Sequence, residues 1–253
     1  MIQINSEAGC GGCRGDNAIT FDFEYAYQPI VELSSRSIYA HEALVRGPNG
    51  EGAASILAQV NDTNRYSFDQ ACRVKAVAGA ARLGMRESLS INFMPNAVYR
   101  PEACIQSTFA AARAHNFPIE QIIFEVTEGE RVPDRAHLVE IFREYERFGF
   151  RNAIDDFGAG YAGLNLLAEY QPHIIKIDMD LVRNVDTSFA RQAIVKSIVG
   201  LCRDLDIAAL AEGIETRAER DFLAGLGIDL MQGYWFSKPV FKGLGSIAQA
   251  SWE

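Results

Sequence analysis

YAYQPIVELSSRSIYAHEALV, residues 25–45, holds two runs rich in aromatic and β-branched residues, joined only by ELSSRS (32–37). A parallel crossover needs a dozen or more residues, so these two strands must pair antiparallel as a hairpin. Beyond the hairpin, short apolar runs alternate with longer amphipathic ones. Strands are expected at 25–31, 37–45, 88–94, 121–127, 151–156, 173–179, 207–213 and 228–235. Helices are expected over Tyr66–Leu83, Pro133–Phe148, Ser188–Leu205 and Arg217–Leu226, and Pro101 and Pro133 each suit a first helical turn. Eight strands alternating with helices predict an α/β fold, a modified TIM (β/α)8 barrel whose first two strands form an antiparallel hairpin. A doubly wound sheet is the rival, but no GxGxxG follows the first strand. Residues 1–20 read as a flexible N-terminal segment and 21–253 as the barrel domain.

Composition narrows the function. The chain has 253 residues, 48% apolar and 23% charged, the balance of an ordinary globular protein. Lys and Arg number 24 and Asp and Glu 33, for a net charge of −9. So acidic a chain is poorly suited to binding a nucleic-acid polymer, which rests on neutralising phosphates. A phosphate-ester substrate would need another cation, and a divalent metal would serve. No stretch reaches the length of a membrane span and no signal-peptide pattern opens the chain, so a cytoplasmic location without membrane association is expected. Five cysteines fit reduced thiols. Cys10 and Cys13 form a CxxC without further zinc ligands nearby or a βα context, and read as part of a Gly-rich tail.

Polar residues recur near the strand ends, where this barrel class carries its chemistry: Gln28, Glu42, Asn92, Glu125 with Glu128, Asp155 with Asp156, Lys176 with Asp178, Glu212, and Gln232. Any one alone reads best as a cap or a solvated rim group. Together Glu42, Glu125, Asp155, Asp156 and Glu212 would bring five anions around Lys176, which is unstable without cations. Carboxylate and amide oxygens suit Mg²⁺ or Mn²⁺ rather than zinc. His41 alternates away from Glu42, and His115, His137 and His173 share no ligand spacing. No GxSxG turn is present. In AIDDFGAGYAGL (153–164), the adjacent Asp155 and Asp156 can hold two cations, a site that serves in-line displacement at phosphorus with metals roughly 3.5–4 Å apart. Gly158 and Gly160 then let the following loop turn sharply and move.

Seven motifs occur in order: HEALVRG (41–47), SINFMP (90–95), FEVTE (124–128), DDFGAGY (155–161), IKID (175–178), LAEGIET (210–216) and QGYWFSKP (232–239). With them the chain resembles the EAL-domain phosphodiesterases, which hydrolyse cyclic di-GMP to linear pGpG in bacterial second-messenger signalling. The resemblance implies that Glu42, Asn92, Glu125 and Asp155 hold one metal, and that Asp155 bridges to a second held by Asp156 and Glu212. Glu42, Lys176 and Glu212 would be catalytic, with Lys176 orienting or deprotonating the attacking water or neutralising charge on the phosphate. Gln28, Leu44, Arg46, Asp178, Glu215, Gln232 and Pro239 would meet substrate, Arg46 at phosphate and Glu215 at a guanine edge. Gln232 would also orient waters on the second metal. Glu128, with Gly158 and Gly160, would hold the loop 157–163, which implies a homodimer through that loop. Mg²⁺ or Mn²⁺ would activate and Ca²⁺ inhibit.

Ala159, Ala162 and Gly163 stand where the family commonly has Thr and two Ser, so the loop is expected to be less firmly held. Three alternatives are weighed against hydrolysis: a catalytically silent cyclic di-GMP receptor, a Mg²⁺-dependent enolate-forming barrel, and Schiff-base chemistry at Lys176. The intact ligand set opposes the first, the lack of a second rim acid/base group the second, and the surrounding carboxylates the third.

Overall fold

The computed structural model describes residues 19–128, 135–160 and 163–253. Cys10, Cys13, Pro133 and Ala162 lie outside the described residues.

The strands are β1 (Glu24–Glu32), β2 (Ser37–Arg46), β3 (Ser88–Asn92), β4 (Ile122–Thr127), β5 (Arg151–Phe157), β6 (Ile174–Ile177), β7 (Ala208–Ala211), β8 (Leu230–Met231) and β9 (Val240–Phe241). β2 through β8 are successive parallel neighbours. β1 is antiparallel to both β2 and β8 and closes the ring. The hairpin therefore forms as its short connection demands. β8 covers only the Val31–Glu32 end of β1, and β9 pairs with Ala26 and Tyr27 farther along that edge.

The helices are α1 (Ala53–Leu57), α2 (Arg65–Arg82), α3 (Pro101–Cys104), α4 (Gln106–Ala114), α5 (Arg135–Arg147), α6 (Gly163–Glu169), α7 (Met179–Val182), α8 (Phe189–Asp204) and α9 (Arg217–Gly225). Long periodic helices fall within two residues of their expected bounds, while α1, α4, α6 and α7 have too few turns to show a period in sequence. Ser188 caps α8, and Thr216 with Glu219 forms a capping box on α9. No helix among the described residues is long and apolar enough to cross a membrane.

The later strands are shorter than expected. The run 228–235 yields only Leu230–Met231, because the chain turns at Gly233, where a Cβ would lie 2.1 Å from the Ile214 carbonyl oxygen. Only glycine fits there. The turn ties two loops together, with Ile214 N–H donating to the Gln232 carbonyl and Trp235 N–H to that of Ile214.

Inside the barrel, Ile30, Ala40, Ile123, Ala153, Ile174, Leu210 and Leu230 form an apolar layer, with Ser88 of β3 beside Ala40. Side chains two residues apart on a strand share a face. Stepping two residues from each member of this layer toward the open rim gives Gln28, Glu42, Glu125, Asp155, Lys176, Glu212 and Gln232. The apolar layer floors a polar one. A second, larger core packs the outer strand faces against the helices.

Candidate active site

Lys176 organises the polar layer. Its side chain is 1% exposed, and its Nζ lies 2.8 Å from Glu212, 2.9 Å from Glu125, 3.0 Å from Asp155 and 3.5 Å from Glu42. Burial alone would depress the lysine pKa, but the carboxylates of Asp155, Glu125, Glu212 and Glu42 outweigh it and hold the group well above its ordinary value. The lysine is a fixed cation.

Four carboxylates share one cation, and two of them, Glu125 and Glu212, are shifted toward the protonated form. Burial, reinforced by Glu42 and Asp155 and opposed by Lys176, pushes Glu125 up to about 8. Glu212 is raised well above its usual range for the same first reason, and Asp156 is raised to about 6 by burial and then by Asp155. Ser90 Oγ donates to Glu125 Oε1. Glu42 receives Asn92 Nδ2 and Gln232 Nε2, each at 2.9 Å.

Asp155 and Asp156 are neighbours on a strand, and strict alternation would send them to opposite faces. A bulge removes the conflict. Ile154 pairs with Ile175 and Phe157 with Ile177, so both aspartates stand against Lys176 alone. Asp156 takes a left-handed backbone at φ 53°, which Asp tolerates better than most residues, and its N–H donates to Asp155 Oδ1 at 3.0 Å. Two triads result. One oxygen each from Glu42, Glu125 and Asp155 lie within 4.8 Å of one another, as do oxygens of Asp155, Asp156 and Glu212. Asp155 belongs to both.

A cavity of about 230 Å³ opens on this layer, lined by Gln28, Glu42, Asp156, Glu212, Glu215 and Gln232 with Met179 and Tyr234. A neighbouring cavity of about 270 Å³ is lined by Leu44, Arg46, Asp69, Asn92 and Thr127 with apolar side chains. Arg46 turns to its own chain, Nη1 donating to the Val45 carbonyl at 2.8 Å. Asp178 caps α7 by accepting the Asp180 N–H, and Glu215 is exposed, 3.9 Å from Arg183. Pro239 precedes β9 and lines neither cavity.

Two expectations need correction. Gln28 is not near a strand end: β1 extends from Glu24 to Glu32, so Gln28 sits mid-strand opposite Glu42, its Nε2 donating to the Ser237 carbonyl at 3.2 Å. Glu42 is likewise interior to β2, which continues to Arg46.

Glu128 accepts the N–H groups of Gly158 (2.8 Å) and Gly160 (3.2 Å) on one oxygen and of Gly163 (2.8 Å) on the other. These three bonds are made by backbone donors, so they do not depend on hydroxyls at 159 and 163. A Cβ at Gly163 would lie 2.6 Å from the Phe157 ring.

Sequence reasoning passed over Ser90, Tyr234, Met179 and Glu219. Ser90 could have been found, lying two residues before Asn92 on the same face. Glu219 accepts N–H groups from Asn184, Glu215 and Thr216, and its T-x-x-E spacing was the available signal.

A closed barrel with one reversed strand, carrying a carboxylate ring around a buried lysine, defines a class of acidic metal-ion barrels. The EAL domain profile matches residues 17–239, and the chain belongs to that family. It is 52% identical to a standalone versatile EAL protein from Vibrio cholerae O395, solved in a c-di-GMP bound form, with a TM-score of 0.90 over 93% of this chain and 100% of that one. Klebsiella pneumoniae BlrP1, solved as a manganese/cy-diGMP complex, is 36% identical with a TM-score of 0.84, over 92% of this chain and 59% of that one. The Escherichia coli blue light- and temperature-regulated antirepressor BluF is 34% identical over 90% of this chain and 57% of its own length. Thus the chain spans little more than half of that relative. Other curated relatives, including RocR of Pseudomonas aeruginosa, bear the name cyclic di-GMP phosphodiesterase.

Proposed function

We propose that the chain is a divalent-metal-dependent phosphodiesterase that hydrolyses cyclic di-GMP to linear pGpG. The observation that carries this reading is the pair of carboxylate triads sharing Asp155. The donor set fits two hard cations. It is all oxygen, it carries excess negative charge, and Gln232 Oε1 is buried without a hydrogen-bond partner, an acceptor that water on such a cation would satisfy. Glu42, Asn92, Glu125 and Asp155 would hold one ion, and Asp155, Asp156 and Glu212 the other.

Ions held there would supply Lewis acidity and an activated water for in-line displacement at phosphorus. The protein's own groups do the rest. Lys176, held as a cation, neutralises charge building on the phosphoryl oxygens and keeps the carboxylates apart at fixed distances. The surrounding carboxylates count against Schiff-base chemistry at Lys176, and the lack of a second acid/base group on the rim counts against the enolate-forming reading. Asn92 and Gln232 fix the Glu42 carboxylate from two sides. Gln28, Leu44, Arg46, Asp178, Glu215 and Pro239 are read as substrate contacts, Arg46 leaving its backbone carbonyl to pair with phosphate. The Glu128-held loop is read as part of a homodimer contact. Mg²⁺ or Mn²⁺ fits as activator, and the larger Ca²⁺, with longer and more numerous bonds, fits as inhibitor.

The test is chromatographic: purified protein with Mn²⁺ should convert cyclic di-GMP to pGpG, and intact substrate would overturn the reading. A silent receptor is the second reading, favoured by the relative named as an antirepressor. Tight calorimetric binding with no turnover would select it.

A further inference from the structure

We infer that the buried Asp69–Arg73 pair on α2 is a positioning device that sets the rim ends of β3 and β4, and so the metal-holding geometry of Asn92 and Glu125. It rests on the two-metal reading above.

The pair lies outside the barrel wall, with Asp69 bordering the cavity that Leu44, Arg46 and Asn92 line. Arg73 is wholly buried, and its Nη2 lies 2.8 Å from Asp69 Oδ2. Arg73 Nη1 donates to the Tyr145 hydroxyl at 2.7 Å, and its guanidinium carbon sits 5.0–5.4 Å from the ring centres of Phe93, Phe124 and Tyr145. These partners are not arbitrary core residues. Phe93 follows Asn92 directly, and Phe124 immediately precedes Glu125. By strand alternation, each ring is the outward counterpart of an inward ligand.

Asp69 completes the clamp. Phe93 N–H continues the ladder by donating to the Glu125 carbonyl at 3.0 Å, but β3 ends there and Met94 N–H has no strand partner. Asp69 Oδ1 accepts it at 2.9 Å. One carboxylate therefore anchors the backbone two residues past Asn92, while the arginine it pairs with spans the wall to Phe124. Asn92 in turn reaches Glu42 at 2.9 Å. A buried ion pair stabilises a fold no better than apolar side chains of the same volume. Its distinctive contribution is placement: the guanidinium bonds the Tyr145 hydroxyl, lies beside the Asp69 carboxylate and rests against the Phe93 and Phe124 rings.

The experiment measures Mn²⁺ binding by calorimetry, with melting temperature in parallel, for wild type, Asp69→Ala, Arg73→Lys and Val77→Ala. Val77 is buried on the same helix, and its apolar side chain can make no hydrogen bond or ion pair with these groups, so it controls for loss of packing stability. Asp69→Ala and Arg73→Lys should weaken one of two Mn²⁺ sites roughly 10-fold, the low end of what removing a supporting partner of a metal ligand costs. Val77→Ala should lower the melting temperature and leave both affinities within twofold. Arg73→Lys keeps the charge, so it carries the comparison if Asp69→Ala does not fold. Wild-type affinities in both variants would overturn the inference and leave the two-metal reading standing. Failure of the wild type to bind Mn²⁺ would overturn both.

Discussion

Two buried ion-pair systems sit back to back across the barrel wall. Outside it, Asp69 and Arg73 match one charge with one charge inside a box of aromatic rings. Inside it, four carboxylates within 3.5 Å share one ammonium, and Asp156 adds a fifth. The outer system is electrically complete and has no use for a further ion. The inner one is short of positive charge, and burial there raises the pKa of Glu125 and Glu212. Imbalance, rather than the number of charges, separates a binding site from a structural pair.

Removing metal tests this contrast hardest. Chelation with EDTA should bring cyclic di-GMP hydrolysis to background while circular dichroism reports a folded protein; persistent turnover would break the two-metal reading. Next comes Lys176→Met, which strips the only cation from the inner ring. Stability without added metal should fall by about 3–5 kcal/mol, as for other buried charges that lose a partner. Mn²⁺ should then restore part of it by mass action, seen as a rise in melting temperature with metal concentration.

A smaller effect is expected at the loop. Glu128→Ala leaves three backbone N–H groups without their acceptor and should lower kcat about 10–100-fold, the range for groups that orient a metal site. Unchanged steady-state kinetics would show that the loop is held by something else.

The gentlest test is pH. Glu125 and Asp156 have raised folded pKa values, so without metal the folded state binds more protons than the unfolded one. Their contribution to stability is complete below the unfolded carboxylate range and declines as pH rises, through about 6 for Asp156 and about 8 for Glu125. Each group contributes a slope of roughly 1 kcal/mol per pH unit within its window. The melting-temperature gap between Mn²⁺-loaded and metal-free protein should widen from pH 5 to 8; a gap that stays constant would contradict the proton-for-metal exchange.

Much of this arrangement was legible in advance because strand alternation is a local rule. Glu42 follows Ala40 by two residues, Glu125 follows Ile123, and Lys176 follows Ile174, so an apolar floor and a polar layer can be read from adjacent letters. Gln28 was misplaced because strand ends are not set locally: β1 runs from Glu24 to Glu32, paired along its length with β2, so Gln28 falls at its middle. Asp69 and Arg73 went unnoticed for a related reason. A charged i,i+4 pair on a helix reads as a solvated face, and only packing shows that this one is enclosed.

The amino-acid order by itself determined the alternation of strands and helices, the antiparallel hairpin forced by six linking residues, and which side chains share a face. Tertiary structure alone decided that Asp155 and Asp156 stand together, because a bulge against β6 and a left-handed backbone at Asp156 override alternation. It also decided the charge state of the ring, since pKa values depend on burial and on distances between residues far apart in the chain.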